Sequence, residues 1–276
     1  MFSLQSDLAL MEEAARMAGS CIMRYFQPGA EVSNHVHLKD KSRNNPLTKA
    51  DVEADQLLRQ ELLGHRPDYG WLSEETADDA SRLSRQRVWI VDPMDGTKEF
   101  MRGIPRFAVS IGLVEAGRPI AACIHNPATH EFFSATLDGG ARLNGQRIQV
   151  SPQDRLCGAS CLASHSETKR GEWEPFKTTF HITPMGSIAY KLALVAAGRF
   201  DLTFTLTPKN EWDFCAGTLL LHEAGGRVSH KDGQPCRFNQ KNTKVRSVLA
   251  TNGRLHEALL ALLEPTPLSP DRQAVA

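Results

Sequence analysis

The stretch Asp92-Pro93-Met94-Asp95-Gly96-Thr97 carries two carboxylates three residues apart, in a turn between an apolar run and the start of a helix. Hard cations such as Mg²⁺ select oxygen ligands, and two or three carboxylates with a main-chain carbonyl and waters complete the shell this ion demands. Gly96 permits a tight turn, and the amides of Gly96 and Thr97 at a helix start would point their positive ends at a phosphate. Taken alone, the string is equally consistent with a helix cap and turn, where Asp, Gly and Thr make local hydrogen bonds. Its company shifts the balance: Thr48-Lys49-Ala50-Asp51 upstream, Ser73-Glu74-Glu75 after a strand, and Glu211-Trp212-Asp213 opening another helix.

Several elements must position these groups. From Ser6 to Phe26 apolar residues recur at helical spacing and stop at Pro28-Gly29. A polar loop is expected over about 34–46, then a second helix capped by Thr48 and running to His65-Arg66-Pro67, with Asp51 in its first turn. Val88-Trp89-Ile90-Val91 reads as a buried strand ending at Asp92. Three strand-like runs between Phe107 and about Leu137 form an antiparallel meander. Beyond about 155, strands near 159–163, 200–205 and 246–250 alternate with helices near 187–197, 213–224 and 253–263. The expected division is an α+β half over 1–155, an α/β half over 156–263, and a loose tail over 264–276.

With 276 residues the chain is long enough for one large core or two closely packed halves. Lys plus Arg equals Asp plus Glu at 32 each, so no overall field draws the protein to nucleic acid or an anionic membrane. Neither a basic, continuously apolar leader nor an uncharged run of spanning length is present, from which a cytoplasmic location is expected. The six cysteines lack C-x-x-C spacing and read as reduced, buried thiols.

Taken together, the motifs resemble the inositol monophosphatase superfamily of Mg²⁺-dependent, Li⁺-sensitive phosphatases. The resemblance covers about residues 6–263. It rests on Leu47 to Asp51, Leu72-Ser73-Glu74-Glu75-Thr76, Trp89 to Thr97, Phe107 to Gly112, Trp212-Asp213, Ala216-Gly217 and Glu223 to Gly226. It implies a five-layered α/β/α/β/α sandwich of the inositol monophosphatase and sugar phosphatase type, commonly a homodimer, with two or three Mg²⁺ ions. Carried over residue by residue, it makes Glu74, Asp92, the carbonyl of Met94, Asp95 and Asp213 metal ligands. Asp51 and Thr97 become the catalytic pair that orients and deprotonates the attacking water. The expected partner is a small phosphate ester.

The metal motifs are shared by inositol monophosphatases, bisphosphate nucleotidases and histidinol-phosphate phosphatases, so the ester must be read elsewhere. Asp95-Gly96-Thr97-Lys98-Glu99-Phe100 and Lys41 resemble the 3′(2′),5′-bisphosphate nucleotidases, as do the segments containing His165 and Gly186-Ser187-Ile188-Ala189-Tyr190-Lys191. On this resemblance adenosine 3′,5′-bisphosphate comes first and inositol-1-phosphate or a related polyol phosphate second. Lys41, Gly96, Thr97, His165, Gly186, Ser187, Lys191 and Asp213 are the expected substrate contacts. His165 reads equally as an ordinary loop histidine, and Lys191 as a lysine on a solvated helix face. Lys209 and Glu211 could pair with each other or reach the ligand.

Overall fold

A computed structural model describes residues 2–32, 36–42 and 45–270, with only the backbone described at 40–42 and 45. The first half runs α1 (Leu4–Met23), β1 (His37–Ser42), β2 (Asn45–Thr48), α2 (Lys49–His65), β3 (Gly70–Ser73), β4 (Arg87–Asp95), α3 (Thr97–Met101), β5 (Ala108–Glu115), β6 (Arg118–Asn126), β7 (Glu131–Thr136), β8 (Gly140–Leu143) and β9 (Gln146–Arg147). The second runs β10 (Ala159–Ala163), α4 (His165–Lys169), β11 (Phe180–Pro184), α5 (Ile188–Ala196), β12 (Leu202–Thr205), β13 (Lys209–Asn210), α6 (Glu211–Glu223), β14 (Arg227–Ser229), β15 (Lys244–Val245), β16 (Val248–Thr251) and α7 (His256–Leu263).

Strands β3 to β9 form one sheet in chain order, antiparallel throughout except for the parallel pair β3–β4. A second sheet has the order β11-β10-β12-β16-β14. Because successive strand residues face opposite sides, the apolar run of β4 serves two cores. Trp89 and Val91 pack with Met11, Ile22 and Leu58 from α1 and α2, while Val88 and Ile90 pack with Leu192 and Phe214 from α5 and α6. All nine residues of α5 are buried, as a helix covered by sheets on both sides requires. The outer face of the second sheet packs Phe204 and Leu249 against Leu259 and Leu263 of α7. The layers are therefore helices, sheet, helices, sheet, helix, matching the expected five.

Some local expectations need correction. The expected loop over 34–46 contains the β1–β2 hairpin, whose polar residues pair through their backbones and show no apolar alternation. β4 does not end at Asp92 but continues to Asp95 through an irregularity. The tail is docked as far as it is described: the Ser269 amide donates to the Leu206 carbonyl, and Leu268 packs on the aromatic core beneath. Four cysteines are buried, Cys236 is half-buried and Cys157 is exposed, all of them free thiols. Among the described residues, no helix is long and apolar enough to cross a membrane.

Candidate active site

At the end of β4, Asp92 lies opposite Ser110 and Asp95 opposite Ala108, so three steps on one strand face two on the other. In a regular strand, residues three apart point to opposite faces. The extra residue of this bulge turns Asp92 and Asp95 to the same face, toward α5 and α6. Asp92 Oδ1 accepts the Met94 amide at 3.0 Å, which closes the turn. Gly96 follows at φ 102°, and a Cβ there would stand 2.9 Å from the Arg106 carbonyl. Only glycine satisfies both conditions.

Three other elements complete the group. Thr48 and Asp51 form a capping box on α2, with Asp51 Oδ2 accepting from the Thr48 amide at 2.8 Å and hydroxyl at 2.5 Å. The other oxygen, Oδ1, stands 3.0 Å from the Thr97 hydroxyl, which also lies 3.2 Å from the Met94 carbonyl. Asp213 sits in the first turn of α6, its Oδ2 accepting the Asn210 amide at 2.9 Å. Asp95 is held at the start of α5, where its Oδ2 accepts from the Ala189 amide at 2.6 Å and the Ser187 hydroxyl at 2.8 Å. Ser187 has φ 53°, rarely adopted by a residue with a side chain.

Glu74, Asp92, Met94, Asp95 and Asp213 line one cavity of about 420 Å³ together with Gly96, Thr97, His165, Gly186, Ser187 and Lys191. Asp51 stands behind Thr97, buried and outside the lining. Burial pushes Asp95 up to about 6, with the charge of Glu74 adding to the shift. Asp213 is pushed up to about 8 by burial and then by the charges of Asp95 and Glu74. Such mutual repulsion is relieved by a divalent cation, and an all-oxygen donor set suits Mg²⁺. No three His, Cys, Asp or Glu side chains among the described residues close into a ready metal cage.

The opposite wall is basic, and it corrects two open readings. Lys191 is buried, 2% exposed, not on a solvated helix face. Glu211 turns away from the cavity to accept the Asn239 and Gln240 amides at 2.5 and 2.8 Å, whereas Lys209 borders the cavity. His165 lies at the rim with Nε2 3.6 Å from Glu99 Oε1. Glu99 itself packs directly on Gly186, where a Cβ would sit 2.4 Å from Glu99 Cγ. Lys41 falls on β1, and its side chain lies outside the described residues.

Two carboxylates were missed by sequence reasoning. Asp55, one turn after Asp51, accepts from the hydroxyls of Ser73 at 2.5 Å and Thr76 at 2.6 Å, clamping the residues on either side of Glu74. Its signal was present: i and i+4 on a helix share a face. Glu99 is buried in the cavity wall, with Oε2 lacking a hydrogen-bond partner. It lies in the Asp95–Phe100 stretch read for the substrate class, but not among the expected site residues.

The profile of the inositol monophosphatase family matches residues 3–267. An inositol-1-monophosphatase of Mesorhizobium japonicum is 37% identical over 270 residues, covering 95% of this chain and 97% of its own. The Nus factor SuhB of Xylella fastidiosa is 33% identical, covering 91% of each chain. Among solved structures, the extragenic suppressor protein suhB of Bartonella henselae aligns with TM-score 0.80 at 31% identity, over 94% of this chain and 98% of that one. Inositol monophosphatase from Anabaena aligns with TM-score 0.79 at 28% identity, over 96% and 98%. In fold, motif order and sequence along nearly its whole length, the chain belongs to the inositol monophosphatase family, a family of phosphatases.

Proposed function

We propose that this protein is a Mg²⁺-dependent phosphomonoesterase acting on a polyol phosphate of the inositol-1-phosphate class. The observation that carries the reading is the set of four carboxylates, Glu74, Asp92, Asp95 and Asp213, facing one cavity beside the glycine turn at Gly96. When bound, Mg²⁺ supplies the positive charge that lets these groups share a cavity and that draws electron density from a phosphate oxygen. The amides around Gly96 and Thr97 orient the phosphate. Thr97 accepts a proton from the attacking water as its own hydroxyl proton moves toward Asp51 Oδ1, 3.0 Å away. Asp51 is kept in place by the Thr48 amide and hydroxyl on its other oxygen. Water attacks in line with the ester bond, so neither a cysteine nor a phosphoenzyme is required.

The order of substrates read from the motifs is reversed here. Relatives covering nearly the whole chain bear the name inositol-1-monophosphatase, which favours the polyol ester over adenosine 3′,5′-bisphosphate. Purified protein should release phosphate from inositol-1-phosphate with Mg²⁺ and cease to do so in EDTA. Histidinol phosphate and adenosine 3′,5′-bisphosphate serve as competitors. Faster turnover of either would reassign the substrate, and no release from any ester would overturn the phosphatase reading. The homodimer belongs to the same proposal and is checked by sedimentation.

A further inference from the structure

We propose that Arg82 is a positioning residue for the acid cluster: from outside the cavity it ties the segment that carries Glu74 to the segment that steadies the start of α6, and so fixes Glu74 against Asp213 for the cation they share. The inference rests on the Mg²⁺-dependent reading and adds to it a residue that touches neither the ion nor the ester.

Arg82 sits in a short 3₁₀ helix, Ala80–Ser84, is 1% exposed, and does not line the acidic cavity. Four of its five N–H donors are engaged. Nε and Nη2 grip Asp78 at 2.6 and 2.9 Å, a two-point contact that lysine cannot reproduce. Nη1 donates to Asn239 Oδ1 at 2.6 Å and Nη2 also donates to the Gln240 carbonyl at 2.9 Å, across 157 and 158 residues of chain. Gly70, at the start of β3, lets Arg82 lie against the strand: a Cβ there would stand 3.0 Å from Arg82 Cβ and 3.1 Å from its Cα.

Each partner belongs to a segment that leads to a proposed metal ligand. Asp78 lies four residues after Glu74, and Asp55 already holds Ser73 and Thr76, so the stretch around Glu74 is fastened from both sides. Asn239 and Gln240 give their amides to Glu211 at 2.5 and 2.8 Å, and Glu211 stands two residues before Asp213 in the first turn of α6. Asn239 adopts φ 59°, which asparagine tolerates better than most residues, and the dipeptide meets Glu211 with its amides and Arg82 with its oxygens. A continuous run of hydrogen bonds, Asp78 to Arg82 to 239–240 to Glu211, therefore joins the two acid-bearing segments behind the cavity. Arg66 is similarly buried, yet its partners Asp7, Ser6 and the His65 carbonyl lead to no such ligand. Groups that orient metal ligands from behind typically raise metal affinity about ten- to a hundredfold.

The test is Mg²⁺ binding by titration calorimetry, with turnover of inositol-1-phosphate measured alongside. R82M should weaken Mg²⁺ binding about tenfold. Its turnover should return toward wild type as Mg²⁺ is raised, because the ligands themselves are intact. R66M, which removes the similarly buried arginine, should lose stability in urea and keep the wild-type Kd for Mg²⁺. An unchanged Kd in R82M, or an equal loss of affinity in R66M, overturns the assignment. If R82M does not fold by circular dichroism, Asp78→Ala decides in its place, since that side chain is 41% exposed and its removal leaves Arg82 bonded to 239–240. An unchanged Kd there overturns the tie. Wild type that binds no Mg²⁺ sinks the metal reading itself, whereas binding shared equally by every variant sinks only this inference.

Discussion

The two ends of strand β4 hold buried charge in opposite ways. At its start, Arg87 meets Asp7, whose oxygens accept from Arg66 Nε at 2.7 Å, Arg87 at 2.7 Å and the Tyr69 hydroxyl at 2.9 Å. The ring of Phe2 covers the Arg66 guanidinium at 3.7 Å. At its end, Asp92 and Asp95 face Glu74 and Asp213 across the cavity, and acids there repel one another. The first cluster is neutralised within the protein; in the second, acids face one another across a cavity. A buried charge is tolerable when paired, so the end where like charges converge on a cavity is where the proposed cation belongs.

Substitutions at the two ends should break this comparison into separate effects. Asp92→Asn is expected to lower kcat/KM for inositol-1-phosphate by about a thousandfold, roughly 4 kcal/mol, while the protein stays folded. Undiminished turnover would remove Asp92 from the metal site. Asp7→Ala should do the reverse. Leaving Arg66 and Arg87 without their buried partner costs about 3 to 4 kcal/mol in urea unfolding, with kcat/KM changing little. A stable Asp7→Ala protein would show that the cluster is not a structural clamp.

His256 offers a sharper contrast, since it is buried and uncharged. Ser229 donates to the His230 carbonyl, so it accepts from His256 Nε2–H, and Nδ1 accepts from the Thr251 hydroxyl. A neutral ring satisfies this arrangement, and burial takes its pKa down to about 4. A depressed histidine is fully stabilising above its unfolded value of about 6.5 and loses that contribution as pH falls toward 4. Wild type should thus lose up to roughly 3 kcal/mol across that window relative to His256→Gln. Parallel acid limbs for the two proteins would contradict the assignment. The smallest effect expected is on melting: Mg²⁺ at a hundred times its Kd should stabilise wild type by about 2.7 kcal/mol and Asp92→Asn by much less. Equal shifts would place the ion elsewhere.

How much of this was legible follows from the range of the forces involved. Helix α2 and its Thr48–Asp51 cap, the buried run of β4 and the glycine turn at Gly96 are local events, governed by spacing, capping and backbone freedom, and the sequence alone determined them. It also determined the acid motifs and, through their resemblance, the family and the layered sandwich. The β1–β2 hairpin escaped because polar ribbon strands carry no apolar alternation.

Only the tertiary structure decided which side chains meet. The bulge that turns Asp92 and Asp95 to one face depends on pairing with β5, a partner more than a dozen residues away. Asp55 became a clamp because β3 passes beside α2, Glu211 turned from the cavity because the 239–240 segment captured it, and Lys191 was buried because sheets cover α5 on both sides. Periodicity reports which residues lie on the same face of an element; what that face meets is set by contacts distant in the chain, which no local pattern encodes.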